Sequence, residues 1–337
     1  MRVGLLGPVA WRTPPRAYGP WEQVTGLLAE GLVAAGVDVT LFATLDSITT
    51  ARLDGVCPRG YADDPSTDGR IAEAMHVSHA LAQSHEFDVV HSHLDWLPLA
   101  FAQHCRAPLV TTVHGFSSPR ILPAYRTSDS SFVSISDADR SPDLDYVATV
   151  YHGVDVEGLP FHPAGGPGLV TFGRIHPDKG TAAAIEIARQ AGRPLTLCGP
   201  VQDERYFTEE VEPHIDGDRV VFLGAVGPQH RAEILGGAAA LLHPIDFDEP
   251  FGLSVVESMI CGTPVIAYPR GALPEILDEG VTGHLVRDVD HAVAAVAAIH
   301  AVDRAGCRAR ARERFSGGRM VADYLAVYER LLVEDGH

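Results

Sequence analysis

The chain of 337 residues lacks several features that mark specialised protein classes. No apolar run reaches 18 residues, so the sequence offers no candidate for a membrane-spanning helix. Met1 leads directly into the strand-like MRVGLLG without a signal-peptide pattern, which predicts a cytoplasmic protein. The five cysteines are scattered and form no Cys-x-x-Cys motif, so we expect reduced core thiols instead of a disulfide framework.

Positive charge is also scarce. The chain has 26 Lys and Arg against 44 Asp and Glu, which gives a formal net charge of −18. Binding to nucleic acid needs clustered Lys and Arg, and binding to an anionic membrane gains roughly 1 kcal/mol per basic side chain. The composition therefore predicts no nucleic-acid partner and no stable membrane association. Where positive charge occurs, we expect it to serve a local purpose.

Short β-branched runs alternate with helical segments along nearly the whole chain, which predicts parallel sheets with helices on both faces. The runs in the first half are 3–7, 37–43, 88–93, 109–114, 131–136 and 148–153. A Gly- and Pro-rich segment at 157–168 is the best linker candidate, and the alternation restarts after it. We therefore expect an α/β protein in which two nucleotide-fold domains face each other across a cleft.

The segment from Asp246 to Met259, DFDEPFGLSVVESM, holds two glutamates eight positions apart. The apolar run before it predicts a strand and Leu253 to Cys261 predicts a helix, so Glu249 falls in the turn and Glu257 inside the helix. Gly252 lets the backbone approach a ligand, and N–H groups at a helix start favour an anion. A buried carboxylate further along would accept hydrogen bonds from a ribose diol. The alternative is a capped helix with two solvated acids.

Three further candidates stand near the carboxyl ends of predicted strands, where ligands bind in open α/β sheets. GRIHPDKG (173–180) follows a strand and opens a helix, so Arg174 and Lys179 are placed to cradle a diphosphate. Gly19 precedes the first helix and would let a phosphate or sugar approach, and His114 ends a strand ahead of a glycine. Each has a plain structural alternative: surface charges, a turn glycine and a structural histidine.

Together these segments resemble glycosyltransferase family 4, the retaining nucleotide-sugar transferases of the GT-B fold. The resemblance covers essentially the whole chain, because six segments come in family order: Tyr18-Gly19, His114-Gly115, HGVD at 152–155, GR-x4-KG at 173–180, EPFGL-x3-E at 249–257 and GTPVIA at 262–267. The last three are specific as a set. The paired glycine usual in the first loop is Gly19-Pro20 here, which removes one backbone N–H.

The resemblance implies a role for each of these segments. In the family, the counterparts of Arg174 and Lys179 hold the donor diphosphate, and that of Glu257 holds the ribose. The histidine matching His114 bonds the sugar near the reacting carbon, and the region matching Gly19 contacts the donor. The sugar and its phosphates are held by the counterpart of Glu249 and the backbone of Phe251, Gly252, Leu253 and Ser254. The base is seated around Gly199 and Val226.

The resemblance also implies the organisation and the reaction. We expect an acceptor-side Rossmann-like domain at 1–160, a nucleotide-sugar-binding domain at 161–312, and a closing helix at 313–337 that packs back toward the first domain. The expected activity moves a hexose from a nucleoside diphosphate to a small soluble acceptor with retention at the anomeric carbon. Arg174 and Lys179 supply fixed charge to the leaving diphosphate, so we expect no metal or other cofactor.

Two short motifs suggest metal chemistry instead. His91, His93 and Asp95 have the H-x-H-x-D spacing of binuclear metallohydrolases, but Trp96 stands where a second-metal histidine would follow. Buried structural histidines are the favoured interpretation. Asp246 and Asp248 form a D-x-D, which resembles that of metal-dependent sugar transferases of another fold, and we interpret them as solvated acids beside the EPFG turn.

Two other function classes share part of the pattern. A nucleotide-sugar 2-epimerase uses the same two-domain fold but would need its own acid/base residues in place of the EPFG turn and the Arg/Lys pair. A non-catalytic nucleotide-sugar-binding protein would need the donor site alone. The full set of motifs favours the transferase.

Overall fold

The computed structural model describes residues 1–115 and 120–334, which form two compact units. The first unit comprises Met1–Gly153 together with the chain from Gly317 onward, and the second comprises Val154–Ser316. The chain thus crosses between the units after Gly153 and after Ser316, whereas the sequence predicted these crossings after residues 160 and 312. Residues 335–337 of the predicted closing segment lie outside the described residues.

The first unit is built on a seven-stranded parallel sheet in the order β3-β2-β1-β4-β5-β6-β7. Its strands are β1 (Arg2–Leu6), β2 (Asp38–Phe42), β3 (Arg52–Asp54), β4 (Val89–Ser92), β5 (Leu109–Val113), β6 (Ser131–Ser134) and β7 (Tyr146–Thr149). Its helices are α1 (Pro20–Ala34), α2 (Gly69–Ala82) and α3 (Leu122–Arg126), with 3-10 helices at Tyr61–Asp63, Ser84–Glu86 and Leu99–His104. The central strands are buried on both faces, as their continuous apolar runs predict.

The second unit is built on a six-stranded parallel sheet in the order β10-β9-β8-β11-β12-β13. Its strands are β8 (Leu169–Phe172), β9 (Leu195–Cys198), β10 (Val220–Gly224), β11 (Ala240–His243), β12 (Val265–Ala267) and β13 (Gly283–Leu285). Its helices are α4 (Thr181–Ala191), α5 (Glu204–Tyr206), α6 (Pro228–Gly237), α7 (Leu253–Ile260), α8 (Leu273–Ile276), α9 (Val289–Ala298) and α10 (Arg304–Phe315). Short 3-10 helices lie at Pro177–Lys179, Glu212–His214 and Ile299–Ala301, and a π-helix at Phe207–Val211.

The predicted α/β class is confirmed, with two corrections to the strand assignments. The sequence did not predict β3, a three-residue edge strand that is only partly buried and so carries little apolar signal. The strand predicted at 148–153 occupies Tyr146–Thr149. Its pairing with β6 ends where the Val150 N–H donates to the Ser134 carbonyl.

The last helix, α11 (Gly317–Glu334), belongs to the first unit, where two tyrosines attach it to the sheet. The Tyr324 hydroxyl lies 2.7 Å from the Thr112 hydroxyl of β5, and the Tyr328 hydroxyl lies 2.6 Å from His91 Nδ1 of β4. All four side chains are buried, so these bonds satisfy polar groups that water does not reach.

Arginines of α10 hold the linker region against the second unit. Arg304 Nε donates to the carbonyl of His162 over 2.8 Å, and Arg308 Nη1 donates to the carbonyl of Leu159 over 2.7 Å. The predicted flexible linker is therefore tied by side-chain hydrogen bonds along part of its length. None of the described helices is both long and apolar enough to cross a membrane.

Candidate active site

The loop after β8 carries the first predicted cation. Arg174 is the second residue after this strand, and its guanidinium donates to Asp178 Oδ2 and to Gln202 Oε1, each over 2.7 Å. Both partners come from loops at the carboxyl edge of the second sheet. Arg174 is thus half-buried and oriented by neighbouring side chains, unlike a freely solvated surface arginine.

Lys179, the only lysine in the chain, contacts a predicted sugar-binding residue. Its Nζ donates to Glu249 Oε2 over 2.9 Å and lies 4.3 Å from the centre of the Phe247 ring. The next residue, Gly180, has a φ of 66°, and a Cβ there would lie 1.9 Å from the Pro244 carbonyl oxygen. Only glycine fits at this position, which fixes where the loop places Lys179.

Glu249 lies in the turn between β11 and α7, as predicted, and its side chain is 12% exposed. Burial opposes its charge, but the nearby His243 and Lys179 outweigh burial and lower the pKa of Glu249 to about 2. His243 Nε2 lies 3.4 Å from Glu249 Oε2, a distance too long for a strong hydrogen bond. The carboxylate is therefore ionised at neutral pH and acts as a hydrogen-bond acceptor, not as a proton donor.

The turn ends at Gly252, which has a φ of 95° and caps α7. Leu253 and Ser254 are the first two residues of the helix, so their N–H groups belong to the donors that a helix start leaves without intrahelical partners. Phe251, 2% exposed, anchors the turn by packing edge-on against Phe315 at 5.9 Å between ring centres. The arrangement offers an anion the positive end of the α7 dipole.

Glu257 lies inside α7, as predicted, but it has a partner that the sequence did not reveal. Arg231 Nη1 on α6 lies 3.2 Å from each carboxylate oxygen, and the Glu257 side chain is only 2% exposed. The guanidinium offsets the cost of burying this charge.

The two residues predicted near a base end neighbouring strands. Gly199 follows β9 with a φ of 142°, and a Cβ there would lie 1.8 Å from the Gly173 carbonyl oxygen, so no other residue fits. Its N–H donates to the Gly224 carbonyl over 2.8 Å. Val226 is half-buried in the loop after β10. Both lie on the same sheet edge as Arg174, which agrees with a ligand that runs along this edge.

In the first unit, Gly19 caps α1 with a φ of 151° and is followed by Pro20 at the first helical position. A Cβ at Gly19 would lie 2.8 Å from Pro15 Cβ and 3.0 Å from Glu22 Oε2. Glu22 is buried, and its Oε1 accepts a hydrogen bond from Trp11 N–H at 3.2 Å. Burial raises the pKa of this carboxyl to about 7. The sequence analysis did not single out Glu22.

His114 follows β5 and lies in a row of buried histidines. His93 Nδ1 lies 3.0 Å from His114 Nε2, and His152 Nε2 lies 3.2 Å from His114 Nδ1. Trp21 stacks on the His114 ring with 5.0 Å between centres. Burial lowers the pKa of His114 to about 3, so the ring is neutral and must donate to one neighbour and accept from the other. A bond from the ring to a sugar hydroxyl would therefore require the exchange of one of these contacts.

The metal-like motifs have other surroundings. His91 bonds Thr112 and Tyr328, His93 bonds His114, and Asp95 accepts a hydrogen bond from the Tyr125 hydroxyl. Asp246 and Asp248 are exposed, and Asp246 pairs with Arg270. Within residues 1–115 and 120–334, no three His, Cys, Asp or Glu side chains are grouped as metal ligands would be.

Comparison with protein families gives two matches that follow one another along the chain. The model described as Glycosyltransferase Family 4 matches residues 22–157. The model described as Glycosyl transferases group 1 matches residues 166–302. The first match contains β2 to β7 of the first sheet, and the second contains all six strands of the second sheet.

Similar proteins of known name agree with these matches. The chain is 26% identical to glycogen synthase of Mycobacterium tuberculosis, over 94% of this chain and 90% of that protein. It is 28% identical to the phosphatidyl-myo-inositol mannosyltransferase of Mycolicibacterium smegmatis, over 98% of this chain and 94% of that protein.

A solved structure shares the fold. The crystal structure of AviGT4, a glycosyltransferase involved in avilamycin A biosynthesis, superposes with a TM-score of 0.78 at 24% identity and covers 99% of this chain and 98% of that one. The two α/β units are thus those of the GT-B fold. With both family models and these relatives in agreement, the chain belongs to glycosyltransferase family 4.

Proposed function

We propose that the protein is a retaining hexosyltransferase that takes the sugar from a nucleoside diphosphate and passes it to a small soluble acceptor without a metal ion. The observation that carries the donor assignment is the half-buried contact between Lys179 and Glu249, at 2.9 Å, beside the start of α7. The Lys179 ammonium and the N–H groups at the start of α7 can bind the oxygens of a diphosphate. The Glu249 carboxylate can accept hydrogen bonds from sugar hydroxyls. One relative is named a mannosyltransferase, and mannose is a hexose.

In this proposal Arg174 and Lys179 neutralise the charge that develops on the diphosphate as the glycosidic bond breaks. Both are held in place before the ligand arrives, so little reorganisation is needed during the reaction. The N–H groups at the start of α7 add donors for phosphate oxygens. The acceptor oxygen then bonds to the anomeric carbon on the face from which the diphosphate departs, and the diphosphate takes the proton of that acceptor hydroxyl. Bond formation on the same face retains the anomeric configuration.

Glu249 orients the sugar in this scheme and does not supply a proton, because its pKa of about 2 keeps it ionised. A fixed negative charge beside the sugar also favours a cation-like transition state. We assign Glu257 to the ribose, with Arg231 holding its carboxylate in position. The contact of His114 with the sugar rests on the family resemblance.

The test is incubation of the protein with a panel of nucleotide sugars, first alone and then with small acceptors. A transferase hydrolyses its donor slowly when alone and forms a glycoside when an acceptor is added. An epimerase would isomerise the donor without any acceptor, and a binding protein would leave every donor intact. NMR of the product identifies the anomeric configuration. A product with inverted configuration would contradict reaction on the same face of the sugar.

The acceptor class has its own test. We expect the protein to remain in the supernatant when it is centrifuged with anionic vesicles at physiological salt, because its net charge is −18. Co-sedimentation with the vesicles would favour a lipid acceptor over a small soluble one.

A further inference from the structure

Arg12 is an exception among the half-buried cations of this protein. It lies in the loop between β1 and α1, and its Nε is buried without a hydrogen-bond partner among the described residues. Arg231 and Arg319 also have a buried Nε of this kind, but other nitrogens of those two guanidinium groups donate hydrogen bonds. Every other half-buried Arg or Lys in residues 1–115 and 120–334 donates to a carboxylate, an amide or a carbonyl oxygen: Arg174, Lys179, Arg193, Arg231, Arg304, Arg308, Arg310, Arg314 and Arg319.

The absence of a partner is notable because acids are abundant. The chain has 44 Asp and Glu against 26 Lys and Arg, so a half-buried guanidinium has many candidate counter-ions. The buried acid in the same region is Glu22, which accepts its bond from the N–H of Trp11. The buried acid of this region thus has a backbone donor as its hydrogen-bond partner.

The backbone around Arg12 is fixed on both sides. Before it, the carbonyls of Val9 and Ala10 accept bonds from the 61–62 backbone at 3.2 and 2.9 Å. After it, Thr13 N–H donates to the Ser47 hydroxyl over 2.8 Å, and the Thr13 carbonyl accepts from Ile48 N–H at 2.8 Å. Arg12 is therefore presented from a fixed backbone at the carboxyl edge of the first sheet, where ligands of such sheets bind.

The chemistry of the side chain indicates what would complete the site. A guanidinium is planar, permanently charged and weakly hydrated, and its parallel N–H groups match the two oxygens of a phosphate or carboxylate. A neutral sugar hydroxyl would not compensate the charge of this half-buried group. Among ligands that could contact this guanidinium, an anion therefore matches it best.

We propose that Arg12 binds an anionic group, a phosphate or a carboxylate, on the acceptor, so that the acceptor is a phosphorylated or acidic hydroxyl compound. This inference rests on the proposed transferase function and adds the class of its acceptor. The proposed diphosphate site already contains Arg174, Lys179 and the start of α7, all in the second unit, so we assign Arg12 of the first unit to a different anion.

The first experiment compares acceptors that differ only in charge: a hexose against its 6-phosphate, and a polyol against the corresponding hydroxy acid. We expect the wild type to prefer the charged acceptor within a pair. A preference for the hexose 6-phosphate would indicate a phosphate ligand, and a preference for the hydroxy acid would indicate a carboxylate ligand. Arg12→Gln should lower kcat/KM for the charged acceptor by about 10- to 100-fold, the scale of a lost charge-assisted bond. Donor hydrolysis without acceptor should be unchanged. The exposed Arg16→Gln, in the same loop, is the matched control and should behave as the wild type.

Three results would overturn the inference. One is equal use of charged and neutral acceptors by the wild type. Another is unchanged use of the charged acceptor by Arg12→Gln. The third is an equal loss of donor binding and donor hydrolysis in Arg12→Gln, which would assign Arg12 to the donor diphosphate.

A second readout does not depend on turnover. Inorganic phosphate should slow hydrogen–deuterium exchange in the 7–19 loop of the wild type and of Arg16→Gln, but not of Arg12→Gln. Absence of protection in the wild type would also overturn the inference. If phosphate protects the loop while every nucleotide sugar stays intact, the proposed transferase function fails and the anion site stands.

Discussion

Lys179 Nζ lies 2.9 Å from Glu249 Oε2, so the cation proposed for the diphosphate and the anion proposed for the sugar neutralise each other. The two side chains are 17% and 12% exposed, which keeps most water away from the contact. A buried pair of this kind adds little net stability relative to an apolar pair, but it is costly to break on one side. In the proposed function, this contact holds both charges in position before the ligand binds.

Replacing Lys179 should therefore harm both stability and catalysis. Lys179→Gln leaves Glu249 ionised without its cation, and we expect a loss of about 1–3 kcal/mol in the free energy of unfolding, reduced from the fully buried case by partial exposure. Urea unfolding measures this. The double variant Lys179→Gln/Glu249→Gln should lose less than the sum of the single variants. Additive losses would contradict the coupling.

The exposed pair formed by Arg189 and Glu186, at 2.6 Å, is the control for that experiment. Solvent screens this pair, so Arg189→Gln should change the unfolding free energy little. A loss in the control as large as that for Lys179→Gln would show that burial is not the cause.

The two glutamates of the 249–257 segment should give different kinetic profiles. Glu257 holds ribose hydroxyls in our proposal, away from the bond that breaks, so Glu257→Gln should raise KM for the donor with kcat within about tenfold. Glu249 lies beside the sugar, so Glu249→Gln should bind the donor nearly normally and lower kcat. Steady-state kinetics and calorimetry with the donor distinguish them. Reversed profiles would exchange the two assignments.

Arg231 provides a control for the ribose assignment. Because Arg231 holds the Glu257 carboxylate, Arg231→Gln should raise KM for the donor in the same direction as Glu257→Gln. An effect of Arg231→Gln on kcat alone would show that the pair does not act in donor binding.

The sequence predicted elements and turns well because they depend on neighbours along the chain. The apolar run before Glu249, the glycine at 252 and the helical spacing after it place the turn and α7 correctly. The Arg231 contact with Glu257 joins residues 26 positions apart, and the His91 contact with Tyr328 joins residues 237 apart. No local pattern encodes such pairs, since they depend on how whole elements pack. Arg12 is a similar case, because only the folded chain shows that it lacks a partner.

Chelation tests the metal-independent part of the proposal. The charge that develops on the diphosphate needs cations, and Arg174 and Lys179 supply two that are already in place. We therefore expect EDTA to leave initial rates largely intact. Loss of most activity, restored by manganese, would contradict this expectation and direct attention to Asp246 and Asp248.

The buried histidines should make the fold sensitive to acid. Burial lowers the pKa of His91 and His114 to about 3 and that of His76 to about 4, below the unfolded value of about 6.5. As pH falls below about 6.5, the unfolded state takes up protons that the folded state does not, so stability decreases toward pH 3–4. We therefore expect the thermal midpoint to decrease as the pH is lowered from 7 to 5.

His152→Asn tests this explanation, because burial also lowers the pKa of His152 well below its ordinary value. In the variant, the free energy of unfolding should depend less steeply on pH, by up to about 1.4 kcal/mol per pH unit. The dependence of the thermal midpoint on pH should be flatter accordingly. The exposed His85→Asn is the control and should keep the wild-type profile. A profile that His152→Asn leaves unchanged would assign the acid sensitivity to other groups.

Glu22 should have the opposite pH dependence. Its folded pKa of about 7 lies above its ordinary value of 4.5, because burial disfavours the charge. The folded state therefore keeps a proton that the unfolded state loses, and stability falls as pH rises from about 4.5 to 7. Glu22→Gln keeps an oxygen for the Trp11 N–H and removes the titration. We expect the variant to be more stable than the wild type at pH 8 by about 1–3 kcal/mol, and to match it closely at pH 4, below the unfolded pKa. Thermal unfolding at both pH values measures this, and an equal effect at both would show that Glu22 does not titrate in this range.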